Sequence, residues 1–391
     1  MRLGDCCKTN LHTYSDKEKW SLIRYLDTGS ITEGRIDEIQ TLYPGVDKIP
    51  SRARRKASVG DILFSTVRPN QKHYGIIEAG TENLLVSTGF TVVTVDTTIA
   101  DPYFIYYYLT QSSVIESLQA IAEQSTSTYP SIKPSDIEDI ELDLPELETQ
   151  KKIGSTLRML DRKIALNEEI NDNLEQQAQS YFQELFVDNA DPEWTTGSIS
   201  DLGVVVGGST PSKAKPEYYT ESGIAWITPK DLSINKSKFI SHGENDITEL
   251  GLKNSSATIM PEGTVLFSSR APIGYIAIAA GEVTTNQGFK SVVPKPEIGT
   301  PFVYFFLKHN LPIIEGMASG STFKEVSGST MKNIPAVIPD ADTLGRFNDF
   351  CAPIFAQQRI LEEECQSLAA LRDNLLPKLM SGEIDVSDIQ L

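Results

Sequence analysis

Cysteine and histidine are both scarce, with four of each in 391 residues. Four cysteines exclude a disulfide scaffold and fit a reducing, cytoplasmic compartment. His12, His73, His242 and His309 are scattered and make no metal-ligand spacing, and Cys6-Cys7 lacks the second pair that a zinc knuckle needs. Cys351 and Cys365 stand at helical spacing and read as core thiols. No apolar run approaches the ~18 residues of a membrane span, and the opening residues Met1–Asp5 show no secretory segment. Positive charge is in short supply: 35 Lys+Arg against 53 Asp+Glu leave a net charge of −18. That balance argues against nucleic acid as a partner, unless the cations are local. Catalytic signatures are missing as well. Gly207-Gly208-Ser209-Thr210-Pro211 has no lysine to make a phosphate loop, and Gly-x-Ser-x-Gly does not occur. Asp101-Pro102-Tyr103-Phe104 only faintly resembles the Asp-Pro-Pro-Tyr loop of amino-methyltransferases, because the second proline is absent. These gaps point to a binding protein with no metal and no cofactor of its own.

What is present is a duplication. Gly60-Asp61-Ile62-Leu63-Phe64-Ser65 returns as Gly263-Thr264-Val265-Leu266-Phe267-Ser268, and Gly89-Phe90 as Gly288-Phe289. Pro102–Tyr107 returns as Pro301–Phe306, Ser127-Thr128-Tyr129 as Ser321-Thr322-Phe323, and Ile140–Pro145 falls on Ile334–Pro339. Five blocks in one order mark two copies, each a mixed, strand-rich globular part followed by a helical part. The expected class is α+β. The expected boundaries are 1–145 and 189–339 for the globular parts, 146–188 and 340–385 for the helices, and 386–391 for a tail. Residues 85–95 and 265–280 read as strands, and 102–117 and 301–315 as short buried helices.

The helices carry the clearest period. Ile153, Leu157, Leu160, Ile164, Asn167, Asn171, Leu174, Ala178, Tyr181 and Leu185 alternate spacings of four and three. Phe347, Cys351, Ile354, Gln358, Leu361, Cys365, Leu368, Arg372, Leu375 and Leu379 do the same. A 3.5-residue period is that of a coiled coil, so the two stripes are expected to pair with each other. The alternative is that each packs on its own domain. Asn167 and Asn171 interrupt the stripe and call for polar partners: backbone, Gln358 or another subunit. Pro145 and Pro339 suit the helix starts; Pro377 is expected to end or kink the second helix.

Cations do collect locally. The globular parts sum to −6 and −2, the helical parts to −4 and, with the tail, −6. Lys48, Arg52, Arg54, Arg55 and Lys56 form an acid-free run, read here as a surface loop suited to phosphate and guanine edges. Lys213, Lys215, Lys230, Lys236 and Lys238 spread through a loop-rich stretch of the second copy. Arg68 and Arg270, with Lys72 and Lys290 nearby, follow equivalent apolar strands and serve either as DNA contacts or as strand-end ion pairs. Thr128, Tyr129 and Lys133, and Thr322, Phe323 and Lys324, stand in hydroxyl-rich loops that suit groove contacts and ordinary turns equally.

The ordered set resembles the specificity subunits of type I restriction–modification systems. The second copy carries the resemblance most fully, through Trp194, Gly207–Pro211 (with Ser209 and Thr210), Gly223–Ile227, Lys230-Asp231-Leu232, Pro261–Phe267, Asn286–Phe289 and Leu375–Ile384. In the first copy Thr28-Gly29-Ser30 approximates the Gly-Ser-Thr-Pro loop. The resemblance implies two target recognition domains, each reading half of a split double-stranded DNA site. It implies helices paired antiparallel as a spacer, two methyltransferase (modification) subunits docked on them, and motor-nuclease subunits beyond. S-adenosylmethionine, ATP and Mg2+ would belong to those partners. A protein-interaction scaffold, an autonomous DNA-modifying enzyme and a specificity subunit of a related methylation-based defence system are the competing readings. If the paired helices act as a ruler, removing one heptad from both shortens it by ~10.5 Å at ~1.5 Å per residue. That is about three base pairs at ~3.4 Å each. Sequencing of methylated bases should then show a shorter non-specific spacer between unchanged half-sites; an unaltered spacer would sink the ruler.

Overall fold

The computed structural model describes all residues except 16, 126–128, 321–323, 388, 390 and 391. It divides into two compact units, Met1–Ile164 with Ser367–Leu391, and Ala165–Gln366. In the first unit, strands Cys7–Thr9, Phe90–Val95, Ile62–Ser65 and Tyr74–Ile76 form one antiparallel sheet in that order. A second sheet runs Gln40–Leu42, Ile23–Leu26, Leu84–Ser87, Ala53–Lys56, with Ile23–Leu26 parallel to Leu84–Ser87. In the second unit the order is Gly203–Gly207, Lys290–Pro294, Val265–Ser269, Ile273–Ala279, Phe239–Ile240. Its other sheet runs Tyr219–Thr220, Asn245–Ile247, Ile224–Ile227, Thr284–Thr285, again with one parallel pair, Ile224–Ile227 beside Thr284–Thr285.

The duplicated motifs are duplicated backbone. Gly60 and Gly263 open equivalent strands at φ +88° and +82°, where a side chain would be strained, so both copies keep glycine. Gly60 donates its N–H to Ile77 O and Gly263 to Ala279 O, both at 2.9 Å. Thr66 N bonds to Gly89 O at 2.8 Å, as Ser269 N does to Gly288 O at 2.7 Å. Ile132 N reaches Thr66 O at 2.9 Å, as Val326 N reaches Ser269 O at 3.0 Å. These pairings also correct the alignment of single residues. Arg270 corresponds to Val67, and Arg68 to Ala271, since Arg68 and Ala271 share the left-handed φ of +49°. Thr28–Ser30 follows the strand equivalent to Ile224–Ile227, so it takes the place of the helix starting at Pro229 and not that of the Gly-Ser-Thr-Pro loop.

The aromatic helices are each broken in two: Pro102–Thr110 and Ser112–Glu123, Thr300–His309 and Leu311–Gly316. Gln111 causes the first break, leaving the helical region at ψ 138°. Asp101 caps the first helix, accepting from Tyr103 N at 3.1 Å and Phe104 N at 2.9 Å, which accounts for that carboxylate structurally.

The heptad segments form two long helices, α1 (Leu147–Gln183) and α2 (Ala341–Met380). α2 runs three residues past Pro377, so the proline does not end it there, and it also contains Pro353. Pro377 is exposed and removes only its own N–H, and Ser381 N still reaches Pro377 O at 3.0 Å within the last turn. No stripe position on either helix is exposed. Ile153, Leu157, Leu375 and Leu379 join the core of the first unit. Leu174, Tyr181, Leu185, Phe347 and Ile354 join that of the second. Between them Leu160, Ile164 and Leu368 are half-buried and Leu361 is buried. Of the tail residues, Val386 is buried in the first core with Ile389 packed against it.

Candidate nucleic-acid interface

The motifs separated along the second copy converge in space. Thr210, Lys213, Trp226, Lys230, Asp231, Arg270 and Asn286–Gly288 line one cleft of about 700 Å³. Its wall is a backbone contact. Ser209 N donates to Thr285 O at 2.8 Å. A Cβ on Gly208 would meet Asn286 O at 2.0 Å and Thr285 O at 2.4 Å, so only glycine lets the two loops close. Trp226 is buried and donates its indole N–H to Ser209 O at 3.0 Å. The Thr210 hydroxyl is hydrogen-bonded to Gln287. Asp231 faces inward: its carboxylate accepts from Thr228 N at 2.7 Å, Thr228 Oγ1 at 2.6 Å and Glu244 N at 2.8 Å. The frame is thus held by backbone and side-chain hydrogen bonds, with only the Thr285 hydroxyl buried and, among the described residues, unpartnered in it, while Lys213 and Lys230 are exposed.

Those cations differ in freedom. Lys213 is exposed, with no ion pair among the described residues. Lys230 is paired with Glu244 at 2.6 Å, and that hydrogen bond raises its pKa. Arg270 lies 3.6 Å from Glu325. Lys290, 3.5 Å from Glu325, reaches the backbone of Gln287 and Phe289. Lys215 pairs with Glu217 at 3.6 Å, and Lys236 sits over the Tyr275 ring at 4.6 Å, away from the cleft lining. Lys238, a candidate contact by sequence, is buried. Its ammonium lies 2.5 Å from Glu175 Oε2 and donates to Gln358 Oε1 at 2.6 Å. Its charge is used inside the fold. Lys324 is exposed. Gln287 and Asn286, which charge counting passed over, stand at the cleft's centre; the signal for them was the Asn286–Phe289 motif itself.

In the first unit the basic run is half loop and half strand: Lys48 and Arg52 lie in loop and turn, and Arg54, Arg55 and Lys56 in a strand. Ala53–Lys56 pairs with Leu84–Ser87, supplying hydrogen bonds that the edge of that strand would otherwise lack, and Thr13 bridges to Arg55 on the other side. Lys48 and Arg52 are exposed. Arg52 lies over Gly89, where a Cβ would come within 2.4 Å of Nη2. Arg54 and Arg55 are half-buried; Arg55 Nη1 has no hydrogen-bond partner, and burial lowers its pKa. Lys56 is paired with Glu18 and stands 5.2 Å from the centre of the Trp20 ring. Arg68 is exposed over the Tyr129 ring at 5.3 Å, Lys72 is paired with Glu33, and Lys133 is exposed. Thr128, Thr322 and Phe323 lie outside the described residues. Among the described residues no cluster of His, Cys, Asp and Glu could hold a metal ion, and no helix is long and apolar enough to cross a membrane.

Fold and cleft together define a tandem binding protein, in which one backbone skeleton is built twice and dressed with different polar side chains. A family model for the type I restriction modification DNA specificity domain matches residues 48–176 and 192–362. The chain belongs to that family, whose members recognise DNA and are non-catalytic specificity subunits. It is 25% identical to the type I restriction enzyme HindI specificity subunit of Haemophilus influenzae over 98% of both chains. It is 39% identical to the MjaIX specificity subunit of Methanocaldococcus jannaschii over 46% of this chain and 44% of that one. Among solved structures it shares its fold with the S subunit of a type I system from M. genitalium, at a TM-score of 0.59 and 17% identity, covering 97% of this chain and 95% of that one.

Proposed function

We infer that each unit reads one half of a bipartite DNA site. The long helices pair antiparallel and dock two methyltransferase subunits, to which motor-nuclease subunits are added. The observation that carries this reading is the duplicated skeleton with its divergent surface: the two copies repeat backbone bonds and differ in the side chains presented. Phosphate contacts from exposed cations would set register, and side chains held at the cleft would read base edges. Helix pairing is supported within each unit. In the first, Arg372 Nη1 lies 2.7 Å from Asp161 Oδ1. In the second, Asn167 Nδ2 donates to Glu364 Oε2 at 2.8 Å, and Gln358 Nε2 donates to Asn171 O at 3.2 Å. Those contacts run in opposite chain directions and answer Asn167, whereas Asn171 takes part through its backbone carbonyl and keeps its buried Oδ1 without a hydrogen-bond partner. A second face is left for partners: Met159, Leu166 and Ile170 on α1, and Ile360 and Leu371 on α2, are exposed at helical spacings. S-adenosylmethionine, ATP and Mg2+ would be bound by the partners, in the cytoplasm.

The test is to express the chain with a modification subunit of a type I system from the same organism and sequence the methylated bases. A two-part methylated motif with a fixed spacer, dependent on this chain, is the expected result. Methylation at an undivided motif, or methylation indifferent to the chain, would refute the reading.

A further inference from the structure

Beside the second unit's cleft, against Arg270 of its lining, stands a carboxylate for which a DNA-binding surface has no evident use. Glu325 Oε2 lies 3.6 Å from Arg270 Nη1, and Glu325 Oε1 lies 3.5 Å from Lys290 Nζ. The contact is built into the backbone, because Arg270 and Glu325 are antiparallel bridge partners. The first unit shows what the skeleton needs. There the equivalent bridge joins Val67 to Ser131. The pairing of Phe90 with Ser65, matched by Phe289 with Ser268, makes Thr91 the counterpart of Lys290. All three charges are therefore replaced together by neutral residues, and the same sheet and bridges form without them. The trio is dispensable for the fold and present only as a set.

The Arg270 and Glu325 side chains are each 37% exposed. An ion pair that exposed contributes little to stability, so its carboxylate is easily exchanged for another anion. We propose that Glu325 sets the specificity of the second unit by occupying, as an internal anion, the place a DNA phosphate would take between Arg270 and Lys290. On DNA of arbitrary sequence the carboxylate holds both cations and repels the backbone. On the cognate half-site, base contacts in the cleft offset its displacement. The proposal rests on the reading that this cleft takes DNA.

The experiment measures binding of the full chain to a mixed-sequence duplex by fluorescence anisotropy across a range of KCl concentrations. Glu325→Gln should bind about tenfold more tightly at low salt, and the slope of log K against log salt should steepen by about one to two, because each freed cation adds ~0.9. Glu325→Ser, which installs the first unit's residue, should do the same, and adding Arg270→Ala and Lys290→Ala to either should remove the gain. If Glu325→Gln and Glu325→Ser leave affinity and slope at the parent values while Arg270→Ala weakens binding, Glu325 is a surface ion pair only and the proposal is overturned. If Arg270→Ala and Lys290→Ala also change nothing, the cleft is not the DNA site and the underlying reading falls with it.

Discussion

Lys238→Met should destabilise the second unit by about 3–5 kcal/mol, the cost of leaving a buried charge without its partner. For a unit of this size that lowers the midpoint of thermal unfolding by roughly 2–4 °C per kcal/mol. The side chain of Lys238 is 6% exposed. Its ammonium is held by Glu175 of α1 and Gln358 of α2, and lies 3.8 Å from the centre of the Phe355 ring. Glu362 of α2 accepts the backbone N–H of Lys238 at 2.7 Å and of Phe239 at 3.0 Å. The knot fixes the short strand Phe239–Ile240 to both helices. Burial alone would raise the pKa of Glu175; the ammoniums of Lys238 and Lys308 outweigh it and hold the carboxyl below its ordinary value. A depressed carboxyl contributes stability above its unfolded pKa, near 4.3, and loses it as pH falls further. Without Lys238, Glu175 keeps Lys308 as its one charged partner, with Tyr304 and Gln358 as neutral donors, and burial pushes its pKa up. The difference between variant and parent should then be largest at neutral pH and shrink as pH falls towards 5 and the carboxyl takes a proton. Glu175→Gln added to Lys238→Met should recover much of the loss. Urea unfolding at the two pH values checks both; a pH-independent deficit without rescue would mean that lost packing, and not lost charge pairing, dominates.

The duplication and the helices were legible because both are written in backbone requirements. Gly60 and Gly263 stand where φ is positive, so the glycine survives in both copies while Asp61 and Thr264 diverge beside it. The heptad survives because burial enforces it: Asn167, Gln358 and Arg372 keep stripe positions only by finding partners. The site was less legible, since charge along the chain does not say what faces it. Lys238 looked like its neighbours, but its partner Gln358 is 120 residues away. Lys48–Lys56 looked like one loop, yet Ala53–Lys56 is a strand, because strand edges awaiting a partner leave no mark in composition. Thr28–Ser30 resembled the second copy's glycine loop in letters, yet strand pairing puts it after Ile23–Leu26. In each case a pairing between distant segments decided the outcome.

Replacing Lys213 and Arg270 by alanine should weaken the second unit's hold on its half-site and leave that of the first intact. Lys213 is an exposed cation of the cleft lining without an ion pair among the described residues, and Arg270 shares that lining with Asn286–Gly288. Loss of a good base contact costs about 1–3 kcal/mol of discrimination, whereas loss of a phosphate contact weakens all sequences alike and lowers the salt slope by about one. The two roles can therefore be separated residue by residue. If Arg270 reads a base, Arg270→Ala leaves the slope nearly unchanged and the methylated motif loses definition at one position of one half-site. If it binds phosphate, the slope falls and the motif keeps its letters. Gly208→Val is the companion variant. It adds no charge and removes no candidate contact, but its side chain would drive the Gly207–Pro211 loop away from Thr285 and Asn286, where even a Cβ would stand 2.0–2.4 Å from backbone oxygens. Overpacking of this kind costs about 1–3 kcal/mol, and it should blur the same half-site by moving the cleft wall. Sequencing methylated bases from cells carrying each variant with the partner methyltransferase gives the answer directly. If the first unit's half-site degrades and the second's stays sharp, the cleft has been assigned to the wrong half of the recognition sequence. If all three variants yield the parental motif, base reading lies outside the cleft, and the convergence of Thr210, Trp226 and Gln287 serves folding alone.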